Sequence, residues 1–140
     1  MKIAVIDGQG GGIGKHIVEK LRRDLPEEVD ILALGTNALA TSVMLKAGAN
    51  EGATGENAVV FNAPRVDVIL GPIGIMFPNS MLGEVTTAMA AAISSCRARK
   101  ILIPLVRGGT EIVGIKTDPL PHMIEDLVSR VMGMVSNTGV

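Results

Sequence analysis

Residues 2–15 read KIAVIDGQGGGIGK, an apolar run followed by five glycines (Gly8, Gly10, Gly11, Gly12 and Gly14) within seven positions. Lys2 to Ile6 is rich in β-branched residues and does not alternate with polar ones, as expected of a central parallel strand covered on both faces. Beyond the glycines a helical period takes over. Ile13, Ile17, Leu21 and Leu25 recur at steps of four, joined by Val18, while Lys15, His16, Glu19, Lys20, Arg22 and Arg23 fall on the opposite face. Pro26 ends that helix. A strand, a glycine turn and an amphipathic helix in direct succession are the first half of a βαβ unit, and this sets the fold class.

Working outward, a second strand is expected at Val29 to Leu34, stopping at Gly35, Thr36 and Asn37, with a helix from Ala38 to Ala47 closed by Gly48. In NEGATGENAVVFNAPR (50–65), Val59, Val60 and Phe61 favour a strand, whereas Thr54 followed by Glu56 and Asn57 resembles a helix start; a short helix is the expectation. Asp67 to Leu70 is a clear strand, followed by the Gly/Pro loop GPIGIMFPNS (71–80). A helix over about Leu82 to Ser95, a fourth strand at Lys100 to Leu105 and a fifth at Glu111 to Ile115, after a turn at Gly108 and Gly109, come next. Pro119 to Met134 reads as a last amphipathic helix with Ile124, Leu127, Val128 and Val131 inward, and the residues after 134 are expected to fray.

Strands alternating with helices imply an α/β domain spanning 1–140, with a doubly wound, mainly parallel sheet of about five strands between two helical layers, a Rossmann-like arrangement. Ligands of such sheets bind outside the carboxyl ends of the strands. The loop Asp7 to Lys15, the turn Gly35, Thr36 and Asn37, and the segment Gly71, Pro72 and Ile73 all fall at such ends. They are therefore expected to converge on one crevice.

Composition narrows the partners. The 13 basic and 14 acidic side chains leave a net charge of −1, and Tyr and Trp are absent, so neither a cationic face nor a stacking platform for nucleic acid is expected. The single cysteine, Cys96, excludes an intramolecular disulfide or a multi-cysteine metal site and suits a reducing cytoplasm. The opening MKIAVIDG lacks a signal-peptide pattern. Val68 to Phe77, the most apolar segment, is about half the length of a membrane span and holds Pro72 and Gly74. A soluble cytoplasmic protein without a membrane partner is the expectation. The hydrophobic share of 47% and the mean hydropathy of +0.41 suit a sheet buried on both faces and a homo-oligomer interface.

A strand, a glycine loop and a helix start gather N–H groups and the positive end of a helix dipole at one point, which suits a phosphate-bearing ligand. The GxGxxG spacing fails from Gly8, because Ile13 takes its last position. Gly8-x-x-x-Gly12-Ile13-Gly14 instead resembles the GxxxGxG loop of short-chain dehydrogenases and reductases. That resemblance implies a nucleotide or dinucleotide, with NAD or NADP leading, held by Asp7, Gly8, Gln9, Gly10, Gly11, Gly12, Ile13, Gly14 and Lys15. It does not extend to the catalytic tyrosine of those enzymes, since this chain has none. Nor does an acidic residue end the second strand, where Thr36 and Asn37 stand as possible ribose partners. GGGIGK also resembles the GKGGxGK(S/T) loop of the nitrogenase-iron-protein and partition-protein ATPases. Here Gln9 replaces the first lysine, the glycine run is longer by one, and His16 replaces the magnesium-binding hydroxyl. Lys15 reads either as a phosphate contact or as a solvated lysine. A tight turn needs only one or two glycines, so five favour a ligand.

Other polar residues carry two readings each. Asp7 suits a ribose, a metal or a cap on the following turn, the cap being favoured. Glu51, Glu56 and Asn57 suit a second ligand-facing loop or plain turn chemistry, and Asn79, Ser80 and Glu84 suit a helix cap or contact with the ligand's second half. Arg107 is a solvated arginine or an anion contact. His16 and His122 have no further ligands at metal spacing, so no metal site is expected. The eight methionines read as core fillers. No nucleophile-and-base or paired-carboxylate arrangement assembles by spacing.

Together KIAVIDGQGGGIGK, ALGTNALAT, KAGANEGATGEN, DVILGPIGI, NSMLGE and KILIPL resemble a family of short bacterial proteins known only as a domain of unknown function. The resemblance covers roughly the first 115 residues, the scale of one small domain. It implies a stand-alone Rossmann-like protein and brings no established activity. Three functions stay open: a nucleotide-binding protein; a small enzyme on a phosphorylated metabolite, with Glu51, Glu56, Asn79 or Glu84 supplying polar chemistry; and a regulatory or structural subunit whose glycine loop only packs.

Overall fold

The apolar run at the start of the chain forms β1 (Lys2–Asp7), the middle strand of the sheet, in a computed structural model that describes residues 1–105, 108–116 and 118–138. It pairs in parallel with β2 (Asp30–Gly35) on one side and β4 (Val68–Pro72) on the other. Outside these lie β3 (Glu51–Thr54), on β2, and β5 (Arg99–Ile103), on β4. The order β3-β2-β1-β4-β5 is parallel throughout.

Side chains of β1 alternate between two separate cores. Ile3 and Val5 pack with Ile17, Val18 and Leu21 of α1 (Gly12–Asp24), Met44 of α2 (Ala38–Ala47) and Leu127, Val128 and Val131 of α5 (Leu120–Thr138). Ala4 and Ile6 pack with Val59 of α3 (Glu56–Asn62) and Met89 and Ile93 of α4 (Thr87–Ser95). A strand covered on both sides has no polar face, which accounts for its continuous apolar sequence. Ile17 and Leu21 are fully buried, and each such side chain contributes about 1.5–3 kcal/mol.

The chain thus winds outward from β1 to β3 and then, through α3, crosses back to β4. This is an α/β doubly wound fold. Its winding reverses between β1 and β4, and the loops after β1, β2 and β4 share one end of the sheet.

Two expectations are corrected, and one strand is additional to those expected. The short helix expected after Thr54 forms as α3 (Glu56–Asn62), and Glu51–Thr54 just before it is a strand: the Asn50 N–H donates to Ile31 O (2.8 Å) and its Oδ1 accepts from Ile31 N–H (2.8 Å), drawing the following residues onto the edge of β2. Gly52 lets α2 lie close, since a Cβ there would stand 2.9 Å from Leu45 Cδ1. No strand forms at Glu111–Ile115, which is exposed and turns at Val113 and Gly114; the sheet ends at β5. α4 begins at Thr87 rather than Leu82, because Asn79, Met81, Leu82 and Gly83 have φ of 68°, 56°, 58° and 90°, outside any right-handed helix. The Thr86 hydroxyl then caps it, accepting from Met89 N–H at 3.1 Å. α5 runs to Thr138, with Val135 buried against the first core. Arg107 lies outside the described residues. Among those described, no helix is long and apolar enough to cross a membrane.

Candidate functional site

The glycine loop is closed by Asp7, the last residue of β1. Its Oδ1 accepts from Gly8 N–H (2.8 Å) and its Oδ2 from Gly14 N–H (2.7 Å), so one carboxylate ties both ends of the loop together. This is the capping role favoured for Asp7. The side chain is only 4% exposed. Burial pushes its carboxyl above the ordinary aspartate value; the Gly14 and Gly8 N–H groups pull it down, and the charge of Glu84 adds to the upward push. Within the loop, Gly11 N–H donates to Gly8 O (2.9 Å), and Gly11 itself, at φ 71°, turns the chain into α1.

The five glycines divide into two kinds. Gly8, Gly11 and Gly14 are buried under other parts of the chain. A Cβ on Gly8 would approach Met81 Sδ at 2.8 Å and Glu84 Oε1 at 2.9 Å; one on Gly11 would meet Val43 Cγ2 at 2.6 Å; one on Gly14 would meet Met44 Sδ at 2.5 Å and Asp7 Cβ at 2.9 Å. Packing explains these three. Around Gly10 and Gly12 a Cβ would meet nothing within 4 Å, and neither residue has a left-handed φ. Both are exposed, and the N–H groups of Gly10, Gly12 and Ile13 have no protein acceptor among the described residues. They open to solvent at the N-terminal end of α1.

Glu84, one of several polar residues raised by the sequence, joins the loop. Its Oε1 accepts three hydrogen bonds, from Gln9 N–H (2.8 Å), the Thr36 hydroxyl (2.6 Å) and Asn37 Nδ2 (2.8 Å). Asn37 also donates to Gln9 O (2.9 Å) and caps α2 by accepting from Ala40 N–H (2.9 Å). Thr36 and Asn37 thus stand beside the loop after β1, where they hold a carboxylate. The Thr36 hydroxyl, followed by the Gln9 N–H, holds the Glu84 carboxyl below the ordinary glutamate value, against a smaller opposing effect of burial.

A pH dependence follows. Because its folded value is lowered, Glu84 stabilises the fold above the ordinary glutamate range, and that contribution disappears as pH falls through the lowered value. Asp7, with a raised value, works in the opposite sense: its contribution is present below the ordinary aspartate range and is lost as pH rises through the raised value. Asp7 is common to wild type and Glu84→Gln, so its part largely cancels in a comparison. The melting temperature of wild type should exceed that of Glu84→Gln at pH 7, and the gap should shrink at pH 3. An unchanged gap would mean that charge on Glu84 plays no part in the contact.

The remaining candidates are more scattered. Lys15 lies on the surface of α1 with Nζ 3.9 Å from Glu19 Oε1, and His16 Nδ1 lies 3.7 Å from Glu19 Oε2. Gly71 and Pro72 are buried and Ile73 is half-buried. Glu51, Glu56 and Asn57 are exposed near the β3 edge and make no hydrogen bond to the glycine loop among the described residues. Ser80 donates its hydroxyl to Gly74 O, and Asn79 N–H donates to Val85 O (2.7 Å), which shapes the segment that carries Glu84. Two open cavities lie elsewhere, one of about 470 Å³ between β5 and α5 and one of about 350 Å³ between α1 and the start of α5.

Residues 2–136 match the model of a family described as Domain of unknown function (DUF3842). No curated protein and no solved structure matches the chain.

Proposed function

The chain belongs to the DUF3842 family, and we propose that it is a nucleotide-binding protein that receives the phosphates of a small ligand on the N–H groups of Gly10, Gly12 and Ile13, NAD and NADP being the leading cofactors. One observation carries this reading. At two of the five glycines, Gly10 and Gly12, a Cβ would meet nothing within 4 Å, and neither has a left-handed φ. Glycine loses more conformational freedom on folding than any other residue, and neither packing nor a left-handed turn requires it at these positions. A ligand that must approach the main chain closely supplies the missing reason.

The reading in which the loop only packs explains Gly8, Gly11 and Gly14 and leaves Gly10 and Gly12 without a cause. Supporting the ligand reading further, the site lies at the carboxyl end of β1, beside the point where the winding of the sheet reverses, and the positive end of the α1 dipole faces it. Calorimetry and thermal melts with NAD, NADP, FAD, ATP, GTP and CoA test it. A ligand at about 100 times its Kd adds about 2.7 kcal/mol, a shift of several degrees. A flat response across the panel sinks the proposal, and binding of sugar phosphates in preference to every nucleotide would move it to a phosphorylated metabolite.

A further inference from the structure

We infer that Glu84 sets the specificity of this site: its carboxylate, delivered to the end of β2 from the loop before α4, accepts a hydrogen bond from a free ribose hydroxyl and rejects a ribose that carries a phosphate there. The inference rests on the nucleotide-binding reading and adds to it a discriminating residue. In dinucleotide-binding βαβ units an acidic residue at the end of the second strand takes the ribose hydroxyl. Here that strand ends in Gly35, Thr36 and Asn37, with no acid. The Thr36 hydroxyl and the Asn37 amide instead hold the carboxylate of Glu84, 48 and 47 positions further along the chain.

The two oxygens of Glu84 are used unequally. Oε1 takes all three donors, from Gln9, Thr36 and Asn37. Oε2 has no partner among the described residues, and the side chain is only half-buried. An acceptor held rigidly through one oxygen, with the other open, costs little ordering on binding and is oriented before the ligand arrives. Gly8 is part of the same arrangement, since a Cβ on it would stand 2.9 Å from Oε1. The carboxylate also bridges the two loops a nucleotide would cross, through Gln9 after β1 and through Thr36 and Asn37 after β2.

Charge decides against a phosphate at that point. The second carboxylate close by, Asp7, has both oxygens occupied by loop N–H groups. Neither strand end carries a cation: Gln9 and Gly10 follow Asp7, and Thr36 and Asn37 follow Gly35. A ribose phosphate beside Oε2 would face like charge without compensation. A ribose hydroxyl would donate to it.

Titration calorimetry of wild type and Glu84→Gln with NAD and with NADP tests the inference. Wild type should bind NAD at least about tenfold more tightly than NADP, and Glu84→Gln should reduce that ratio several-fold by weakening NAD and strengthening NADP. Thr36→Val keeps the carboxylate but removes one of its donors, so the ratio should fall by less; this variant carries the test if Glu84→Gln fails to fold. Equal or tighter binding of NADP by wild type overturns the role of Glu84 and leaves the phosphate cradle standing. An equal loss of both ligands in Glu84→Gln also overturns it, since Glu84 would then only brace the loops. Binding of neither cofactor overturns the proposed NAD(P) ligand and this role with it.

Discussion

A Gly71→Ala protein should be severely destabilised. Gly71 lies in β4 just past the last residue of that strand paired with β1, and a Cβ on it would overlap the main-chain oxygen of Ile6 and reach Ile75 Cδ1 at 3.3 Å. Overpacking usually costs about 1–3 kcal/mol because side-chain tips can give way. The obstacle here is backbone of the central strand. Ile6 is buried and held in register with Leu34 of β2 on its other side, so it can retreat only by displacing the sheet. A loss of about 4 kcal/mol is expected, a quarter or more of the stability of a domain whose total is about 5–15 kcal/mol. Urea unfolding followed by circular dichroism measures it, with Gly10→Ala as the control. That control should stay within about 0.5 kcal/mol of wild type, since its Cβ meets nothing within 4 Å. If Gly71→Ala also unfolds within about 1 kcal/mol of wild type, the contact between β1 and β4 is compliant and the argument from Ile6 is lost.

What could be read from the sequence followed the range of the interaction that caused it. β1, β2 and α1 announce themselves because burial on two faces, or along one stripe, leaves a local pattern of apolar residues. β3 does not, because Glu51, Gly52 and Ala53 have little strand preference of their own. Their pairing comes from Asn50 bonding to Ile31 and from α2 lying close above Gly52, a case of tertiary context overriding propensity. Glu111–Ile115 is the converse: Ile112, Val113 and Ile115 have strand-like side chains but no strand beside them, and they stay exposed.

The site divides along the same line. That a glycine loop joins β1 to α1 was legible in the sequence. Which glycines serve packing was not, since that depends on Val43, Met44, Met81 and Glu84, all distant in the chain. The bond from Gln9 N–H to Glu84 joins residues 75 positions apart. A capping role was one of the two readings of Glu84, but no local pattern could show that its carboxylate closes over the loop after β1.

Gly12→Val should keep the fold and lose the ligand. Gly12 is the first residue of α1, its φ is not left-handed, and no atom stands within 4 Å of the place a Cβ would take. Valine is also a better helix residue than glycine by a few tenths of a kcal/mol. The melting temperature should therefore equal or slightly exceed that of wild type. An N–H···O contact with a phosphate requires about 2.7–3.2 Å between heavy atoms, and an isopropyl group at this position would screen the N–H groups of Gly12 and Ile13 from it. A loss of at least roughly 100-fold in affinity, about 2.7 kcal/mol, is expected for whichever nucleotide wild type binds best. Gly14→Val would be a poor substitute, because its side chain would strike Asp7 and Met44 and so damage fold and site together. Calorimetry and melting curves on the same Gly12→Val preparation separate the outcomes. Wild-type affinity would show that the phosphates lie elsewhere, and a collapsed melting transition would show that Gly12 belongs with the packing glycines after all.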